Sequence, residues 1–439
     1  MSDDENTNET ATATATGTAT IGSLTDRYDM LAYLAEFIAS AGDMAKNRRQ
    51  MLLLSLLVDG SKQRFPTESV SGNASRVFVM KSNRLLESYN SVPAGNTLPD
   101  TVAVKMRRNK NSGGGEDLAG LKSLATELRI LTDSKIQAHP NIIKLLGICW
   151  QYADDERNII SPVMLYDTTT LGDLETYHDN HKDLSLGVQL QLSLYIARGV
   201  AGLHEAGIIH CDLKPKNILI FGQDDKMCPV VPKIIDFDIA VLHQDVEAYI
   251  NPPRGTELWR SPEQRDNHKL LHRDDLFKID VFSLGLVLLN LFTSNFLSCL
   301  MTGFDLPAMQ AHLRCGLLAE FKSSGNLACS VLMLLSEFAN ISGPEGSNDV
   351  HVRFRLLWYR ATRILVKCLR GNLKSRLWNI LEVVEELEKL LDEVQQLNLL
   401  SYTNPEVKAD GSHKGSLRIV SHEGTFLHYG SQYNSHIVI

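Results

Sequence analysis

What this chain has little of sets the first bounds on it. Its seven cysteines, at 149, 211, 228, 299, 315, 329 and 368, include no CxxC pair. An odd, scattered set excludes a disulfide framework or a zinc site and fits reduced, intracellular thiols. Positive charge is also short: 44 Lys and Arg stand against 52 Asp and Glu, for a net charge of -8. That excludes a generally nucleic-acid-binding surface, while leaving room for a local basic patch. The charged-then-apolar pattern of a secretory leader is missing, since the chain starts with acidic and Thr/Ala-rich residues. Long apolar runs are missing too. The longest, roughly 281–301, is broken by Asn290, Thr293, Ser294, Asn295 and Ser298, which favours a buried helix over a membrane span. These absences predict a soluble protein of the cytoplasm. With 439 residues, the chain can hold two or three domains or one large domain with tails.

Residues 1–20 carry the run Ala11-Thr12-Ala13-Thr14-Ala15-Thr16 and no large apolar core, so a disordered tail is predicted. Residues 21–64 read as a helical extension. Ser23-Leu24-Thr25-Asp26 offers capping chemistry, Leu31, Leu34, Ile38 and Ala41 follow at helical spacing, and a second helix is predicted within 51–58. Such an extension packs on the next domain or presents a hairpin to a partner.

From residue 65 the pattern turns β-like. Val70-Ser71-Gly72-Asn73-Ala74-Ser75-Arg76-Val77-Phe78-Val79 reads as two strands about a turn, with one glycine where a backbone could approach phosphates. Thr101-Val102-Ala103-Val104-Lys105 ends an apolar strand on a lysine, which is costly unless the charge finds a partner. Glu127, in the helical pattern Leu124-Ala125-Thr126-Glu127-Leu128, is a candidate partner; two unrelated solvated charges are the alternative. Another strand, Pro162 to Tyr166, runs into Asp167-Thr168-Thr169-Thr170, a hinge between a sheet-rich and a helical lobe.

Leu190, Leu194, Ala197, Val200, Ala201 and Leu203 then mark a buried helix ending near Gly207. After it comes His210-Cys211-Asp212-Leu213-Lys214-Pro215-Lys216-Asn217, a polar loop that runs into the apolar Ile218-Leu219-Ile220-Phe221. The loop presents a carboxylate, an ammonium and an amide, the groups needed to orient a hydroxyl, offset phosphoryl charge and hold magnesium. Lys233-Ile234-Ile235-Asp236 ends a further β-like run on a second carboxylate. Asp212, Asn217 and Asp236 make a hard-oxygen set suited to magnesium and phosphate.

In this order, these motifs resemble a eukaryotic-type protein kinase domain over roughly 65–391. The resemblance implies an α+β, bilobal fold, with a small antiparallel-sheet N-lobe and a larger, mainly helical C-lobe. It also implies ATP and Mg2+ as cofactors and a protein Ser/Thr acceptor as substrate, Lys214 being more like serine/threonine than tyrosine kinases. By resemblance, Asp212 accepts the substrate proton, Lys214 steadies the phosphoryl group, and Asn217 and Asp236 bind metal. Val70, Gly72, Val77, Ala103, Lys105, Glu127, Asp167 and Thr169 line the nucleotide. Thr256 is the substrate-platform threonine, Glu263 in Arg260-Ser261-Pro262-Glu263 pairs with Arg376, and Asp280 starts a buried central helix.

Four features depart from the family pattern. Cys211 replaces an arginine that reads activation-loop phosphorylation, Asp238 stands where glycine is usual, the glycine-rich loop is degenerate, and residues 302–350 are predicted to form an enlarged helical insert. Beyond 391, residues 392–439 read as a Gly/Ser-rich linker and a tail of β-prone runs at 417–420, 426–429 and 436–439. The tail loosely resembles amyloid-type signalling motifs and is a candidate for self-association through exposed strands. An active kinase is the leading reading; a pseudokinase or scaffold, acting through weak nucleotide binding, its helices and its tail, is the competing class.

Overall fold

A computed structural model of the chain describes residues 52–53, 70–71, 75–83, 98–107, 118–154, 159–181, 184–225, 228–265, 270–292, 322, 327, 348–376 and 379–397, with three short strands between 416 and 438. The expected disordered tail at 1–20, most of the helical extension at 21–64, and most of the insert at 302–350 lie outside the described residues.

Six strands form the N-terminal sheet: β1 (Leu52–Leu53), β2 (Val70–Ser71), β3 (Ser75–Lys81), β4 (Thr101–Arg107), β5 (Leu145–Asp154) and β6 (Ile159–Tyr166), in the order β1-β5-β6-β4-β3-β2. All neighbours are antiparallel except β1 and β5. Strand alternation divides the sheet's faces. Val102, Val104, Met106, Phe78, Val163 and Leu165 cluster on one side, while Met164 and Tyr166 join the main core on the other. The helix α1 (Leu118–Thr132) packs into that core through Leu124, Leu128 and Leu131, at helical spacing. Next, α2 (Ser134–Ala138) is capped by the Asp133 carboxylate, which accepts from the amides of Lys135 and Ile136.

The C-terminal lobe is mainly helical. Its helices are α3 (Leu174–Asn180), capped by Asp173, and α4 (Leu186–Glu205), capped by Ser185. They are followed by α5 (Phe277–Phe292), α6 (Asn348–Cys368) and α7 (Ile380–Gln396). Helix α5 is buried along its length from Ile279 to Phe292, as the apolar run near 281 predicts. Among the described residues, no helix is long and apolar enough to cross a membrane. Short strands carry the loops between helices: β7 (Ile208–Ile209), β8 (Ile218–Gly222), β9 (Val230–Ile234), β10 (Val241–Leu242), β11 (Tyr249–Ile250) and β12 (Leu271–His272).

Two expectations about element bounds are corrected. Leu52–Leu53, placed in a helix by the sequence, instead pair in parallel with Gly147 and Ile148. The open edge of β5 offers these residues backbone partners, and tertiary pairing overrides local periodicity. Helix α7 continues past Leu391 to Gln396, because Val394 is buried and Glu393 accepts from Arg360 at 2.5 Å. The three tail runs form β13 (Ser416–Val420), β14 (Phe426–His428) and β15 (His436–Val438), with β13 central, antiparallel to β14 and parallel to β15.

Candidate active site

Lys105 is the point where the two lobes meet. It sits on β4 opposite Val77, which in turn pairs with Val70, so the three positions lie in one row across β2, β3 and β4. Ala103, on the same strand, pairs with Tyr166 at the end of β6. The lysine is almost wholly buried, and its Nζ donates to Glu127 Oε2 at 2.8 Å, Asp236 Oδ1 at 3.0 Å and Asp238 Oδ1 at 2.7 Å. The Tyr166 hydroxyl donates to the other Glu127 oxygen at 2.9 Å.

One ammonium thus serves three carboxylates. Burial alone would lower the Lys105 pKa, but Glu127, Asp236 and Asp238 together raise it well above the usual lysine range. Burial pushes Glu127 up to about 7 against the pull of Lys105, and the nearby Asp238 and Asp236 add to the rise. Burial also works against an ionised Asp236, but its attraction and hydrogen bond to Lys105 hold it below the usual carboxylate range. Of the pair Glu127 and Asp236, the more deeply buried Glu127 is therefore the one that takes up a proton first.

The polar loop at 210–217 is held from below by α5. Asp280 accepts from the amides of His210 at 2.8 Å and Cys211 at 2.9 Å, and from His204 Nε2 at 3.0 Å. These bonds hold Cys211 at a positive φ of 66°, a conformation that costs a side-chain-bearing residue and needs such anchoring. His210 donates from Nε2 to Ile235 O and accepts at Nδ1 from the Asp212 amide, so both ring nitrogens are committed to structure.

Asp212 is the hub of the loop. Lys214 Nζ donates to its Oδ2 at 2.6 Å and to Thr256 Oγ1 at 2.7 Å, while the Thr256 amide donates to Asp212 Oδ1 at 2.5 Å. The Asn217 amide nitrogen is spent on Asp212, at 2.9 Å to its carbonyl and 3.3 Å to Oδ2, which leaves the amide oxygen to accept. With the Asp236 carboxylate, this is a pair of hard oxygens, the donor type that suits a divalent cation retaining several waters. Among the described residues, no group of three or more His, Cys, Asp or Glu forms a closed metal cluster.

The segment from Asp236 to Glu263 lies against this loop. A Cβ added at Gly255 would stand 2.5 Å from Cys211 O and 3.2 Å from Asp212 Oδ1, so only glycine allows the approach that brings Thr256 to Lys214. Gln264 Nε2 bridges the two segments by donating to Cys211 O at 2.7 Å and Pro253 O at 2.9 Å. Glu263 and Arg376 form a buried, two-pronged pair at 2.8 and 2.9 Å, as their order in the sequence suggests.

Of the expected site residues, Lys105, Glu127, Asp212, Lys214, Asn217 and Asp236 converge between the lobes. Gly72 lies outside the described residues. Asp167 and Thr169 are tied into the linker: Asp167 accepts from Lys233 at 3.3 Å, and Thr169 donates to Ile220 O at 2.6 Å. Asp238 does not occupy a positive-φ position; that conformation falls on Asp236, at 69°, so the carboxylate at 238 acts through its charge and not through backbone strain. Sequence reasoning missed the Tyr166 hydroxyl on Glu127, the bridge by Gln264, and the reach of Asp238 to Lys105. Tyr166 carried a usable signal, being a polar-tipped aromatic at the end of a buried strand. Gln264 carried none.

The model of the protein kinase domain matches residues 95–378. Among curated proteins, the chain is 27% identical over 348 residues to a probable LRR receptor-like serine/threonine-protein kinase of Arabidopsis thaliana, covering 77% of this chain and 31% of that one. It is 30% identical over 243 residues to a G-type lectin S-receptor-like serine/threonine-protein kinase of the same plant, covering 54% and 24%. A probable serine/threonine-protein kinase of Dictyostelium discoideum is 32% identical over 191 residues, covering 43% and 18%. The matched region thus spans less than a third of the length of these relatives.

Proposed function

Because this chain belongs to the protein kinase domain family, we propose that it transfers the γ-phosphoryl group of ATP to serine or threonine hydroxyls of protein substrates. The observation that carries this reading is the Lys214 ammonium, held at once by Asp212 at 2.6 Å and by Thr256 at 2.7 Å. That arrangement sets a carboxylate and a fixed positive charge side by side, as in-line transfer to an aliphatic hydroxyl requires.

In this reading Asp212 orients the acceptor hydroxyl and takes its proton as the hydroxyl oxygen bonds to the γ-phosphorus and the bond from that phosphorus to the β–γ bridging oxygen breaks, releasing ADP. Lys214 offsets charge on the transferred group, and Lys105, fixed by Glu127, holds the phosphates of the nucleotide. Val70, Val77 and Ala103 stand on the strands that would flank the nucleotide, and Asp167 and Thr169 would border it at the linker. Asn217 and Asp236 would hold the divalent cation, which we assign as Mg2+ on the hardness of their oxygens. When bound there, it would supply neutralisation of phosphate charge.

We place the protein in the kinase subtype whose catalytic aspartate is not preceded by arginine. The residue at that position, Cys211, is buried, and burial first, then Asp280 and Asp212, raise its thiol well above the usual range, so it stays neutral. A cytoplasmic location is part of the same proposal, supported by the buried free thiols of Cys211, Cys228 and Cys368. Self-association through the strands between 416 and 438 rests on their β-prone sequences; deleting 411–439 then abolishes it, and unchanged assembly rules it out.

Acid hydrolysis of a protein substrate labelled from γ-phosphate-labelled ATP tests the proposal. Phosphoserine and phosphothreonine are expected, and label confined to phosphotyrosine overturns it.

A further inference from the structure

We propose that Asp245 and Arg129 form a standing latch which holds the helix carrying Glu127 in its working position, a task that needs no modification of the chain. The inference rests on the phosphoryl-transfer reading above. Helix α1 carries both Glu127 and Arg129. Two helical residues lie about 200° apart around the axis, so one side of α1 serves the Lys105 pair and the opposite side faces the activation segment. On that second side the Arg129 guanidinium meets Asp245 with two prongs, Nη1 to Oδ2 at 2.5 Å and Nη2 to Oδ1 at 3.3 Å. A fork-to-fork pair fixes direction as well as distance.

The segment end of the latch is itself anchored. Asp245 closes a 3-10 turn at His243–Asp245. The His243 amide donates to Gly207 O at 2.8 Å, and its Nε2 lies 2.8 Å from Asp274 Oδ1. Just before the turn, Val241 and Leu242 pair with Ile209 and Ile208, the strand that leads into the catalytic loop. A continuous route of bonded groups therefore runs from the loop at Asp212, through Asp245 and Arg129, to Glu127 and Lys105.

Two features of the sequence make this carboxylate the group the helix depends on. Between Phe237 and Gly255 there is no serine or threonine, so the middle of the segment has no aliphatic hydroxyl to carry a phosphate. Tyr249 is its one hydroxyl, and it stands exposed on β11, in a strand pair with β12. At the loop position where the family resemblance places a phosphate-reading arginine, this chain has Cys211. Asp245 brings its own carboxylate, already seated on α1 through Arg129.

Both partners are about a third exposed, at 29% and 39%, so the latch is screened by water and salt and its effect is modest. The test compares the full chain with Asp245→Asn, Arg129→Gln and the charge-swapped double variant, by backbone hydrogen exchange over residues 118–132 and by Mg-ATP kinetics. Each single variant is expected to exchange faster across α1 and to raise the KM for ATP about two- to fivefold with kcat nearly unchanged. The double variant recovers most of both. Adding 0.5 M NaCl to the wild type, where the screening length is about 4 Å, reproduces the single-variant result and leaves the variants unaffected. Exchange and KM that stay at wild-type values in the single variants, or in salt if a variant does not fold, overturn the latch. A wild type without turnover whose α1 exchange still responds to these changes overturns the phosphoryl-transfer reading alone.

Discussion

Asp238 Oδ1 lies 2.7 Å from the Lys105 ammonium, nearer than Asp236 Oδ1 at 3.0 Å. In the proposed site, the residue at the usual glycine position therefore takes one of the bonds that Lys105 would offer to a nucleotide phosphate. A triphosphate entering the site must displace it or share the lysine with it, against the repulsion of its negative charge.

Asp238→Gly is accordingly expected to tighten Mg-ATP binding by about three- to tenfold, because a like charge is removed from the phosphate site. Isothermal titration of wild type and variant measures this. Binding weakened by more than about threefold would instead make Asp238 a helper in holding the cation.

Gly255→Ala drives a methyl group into Cys211 O, at 2.5 Å, and towards Asp212 Oδ1, at 3.2 Å. The loop must move by a large fraction of an ångström. Misplacement on that scale costs about 100-fold in rate. The expected outcome is a kcat lower by that order with ATP KM nearly unchanged; a kcat within threefold of wild type would show that the approach of Thr256 to Asp212 is dispensable.

Arg376→Ala leaves Glu263 charged and buried without its two-pronged partner, and strips the guanidinium from the face of Phe282, where it lies 4.8 Å from the ring centre. Breaking a buried pair costs about 3–5 kcal/mol. For a domain of this size the melting temperature should fall on the order of 10 °C. A shift under about 2 °C would place the stability of this lobe elsewhere.

Burial raises the thiols of Cys211 and Cys228 and pushes Cys368 up to about 12. For these acids the folded state keeps the proton that the unfolded state gives up near 9, so their contribution to stability is complete below that pH. It is lost as pH rises towards 12. Residue-resolved alkylation at pH 8.5 should leave all three unmodified in the folded protein and label them in urea. Rapid labelling of Cys211 without denaturant would contradict its placement.

Phosphatase treatment should leave activity largely intact, since Cys211 cannot read a phosphate and the segment from 237 to 255 has no serine or threonine. Peptide transfer before and after treatment measures this. A large loss would count against the proposed subtype.

The chemistry of the site was legible in the sequence because Lys105 and Asp236 each end an apolar run, Asp212 follows a buried helix, and Asn217 leads directly into the apolar Ile218–Phe221. A charge at such a boundary must be paired or used. Glu127 was readable for the same reason, standing among Leu124, Leu128 and Leu131 on a buried face. The bonds from Asp238 to Lys105 and from Arg129 to Asp245 were not, because each joins residues more than a hundred positions apart whose approach only the packed lobes decide. Leu52–Leu53 shows the same limit for backbone: helix periodicity is local, but the open edge of β5 is a property of the assembled sheet.

In the proposed reaction Asp212, held by Lys214, Asn217 and Thr256, takes the proton of the acceptor hydroxyl. Purified chain and its Asp212→Ala variant, each with Mg-ATP and a generic serine/threonine substrate, test it most directly. The wild type is expected to phosphorylate the substrate at least about 100-fold faster than the variant. Equal rates in the two proteins would contradict it.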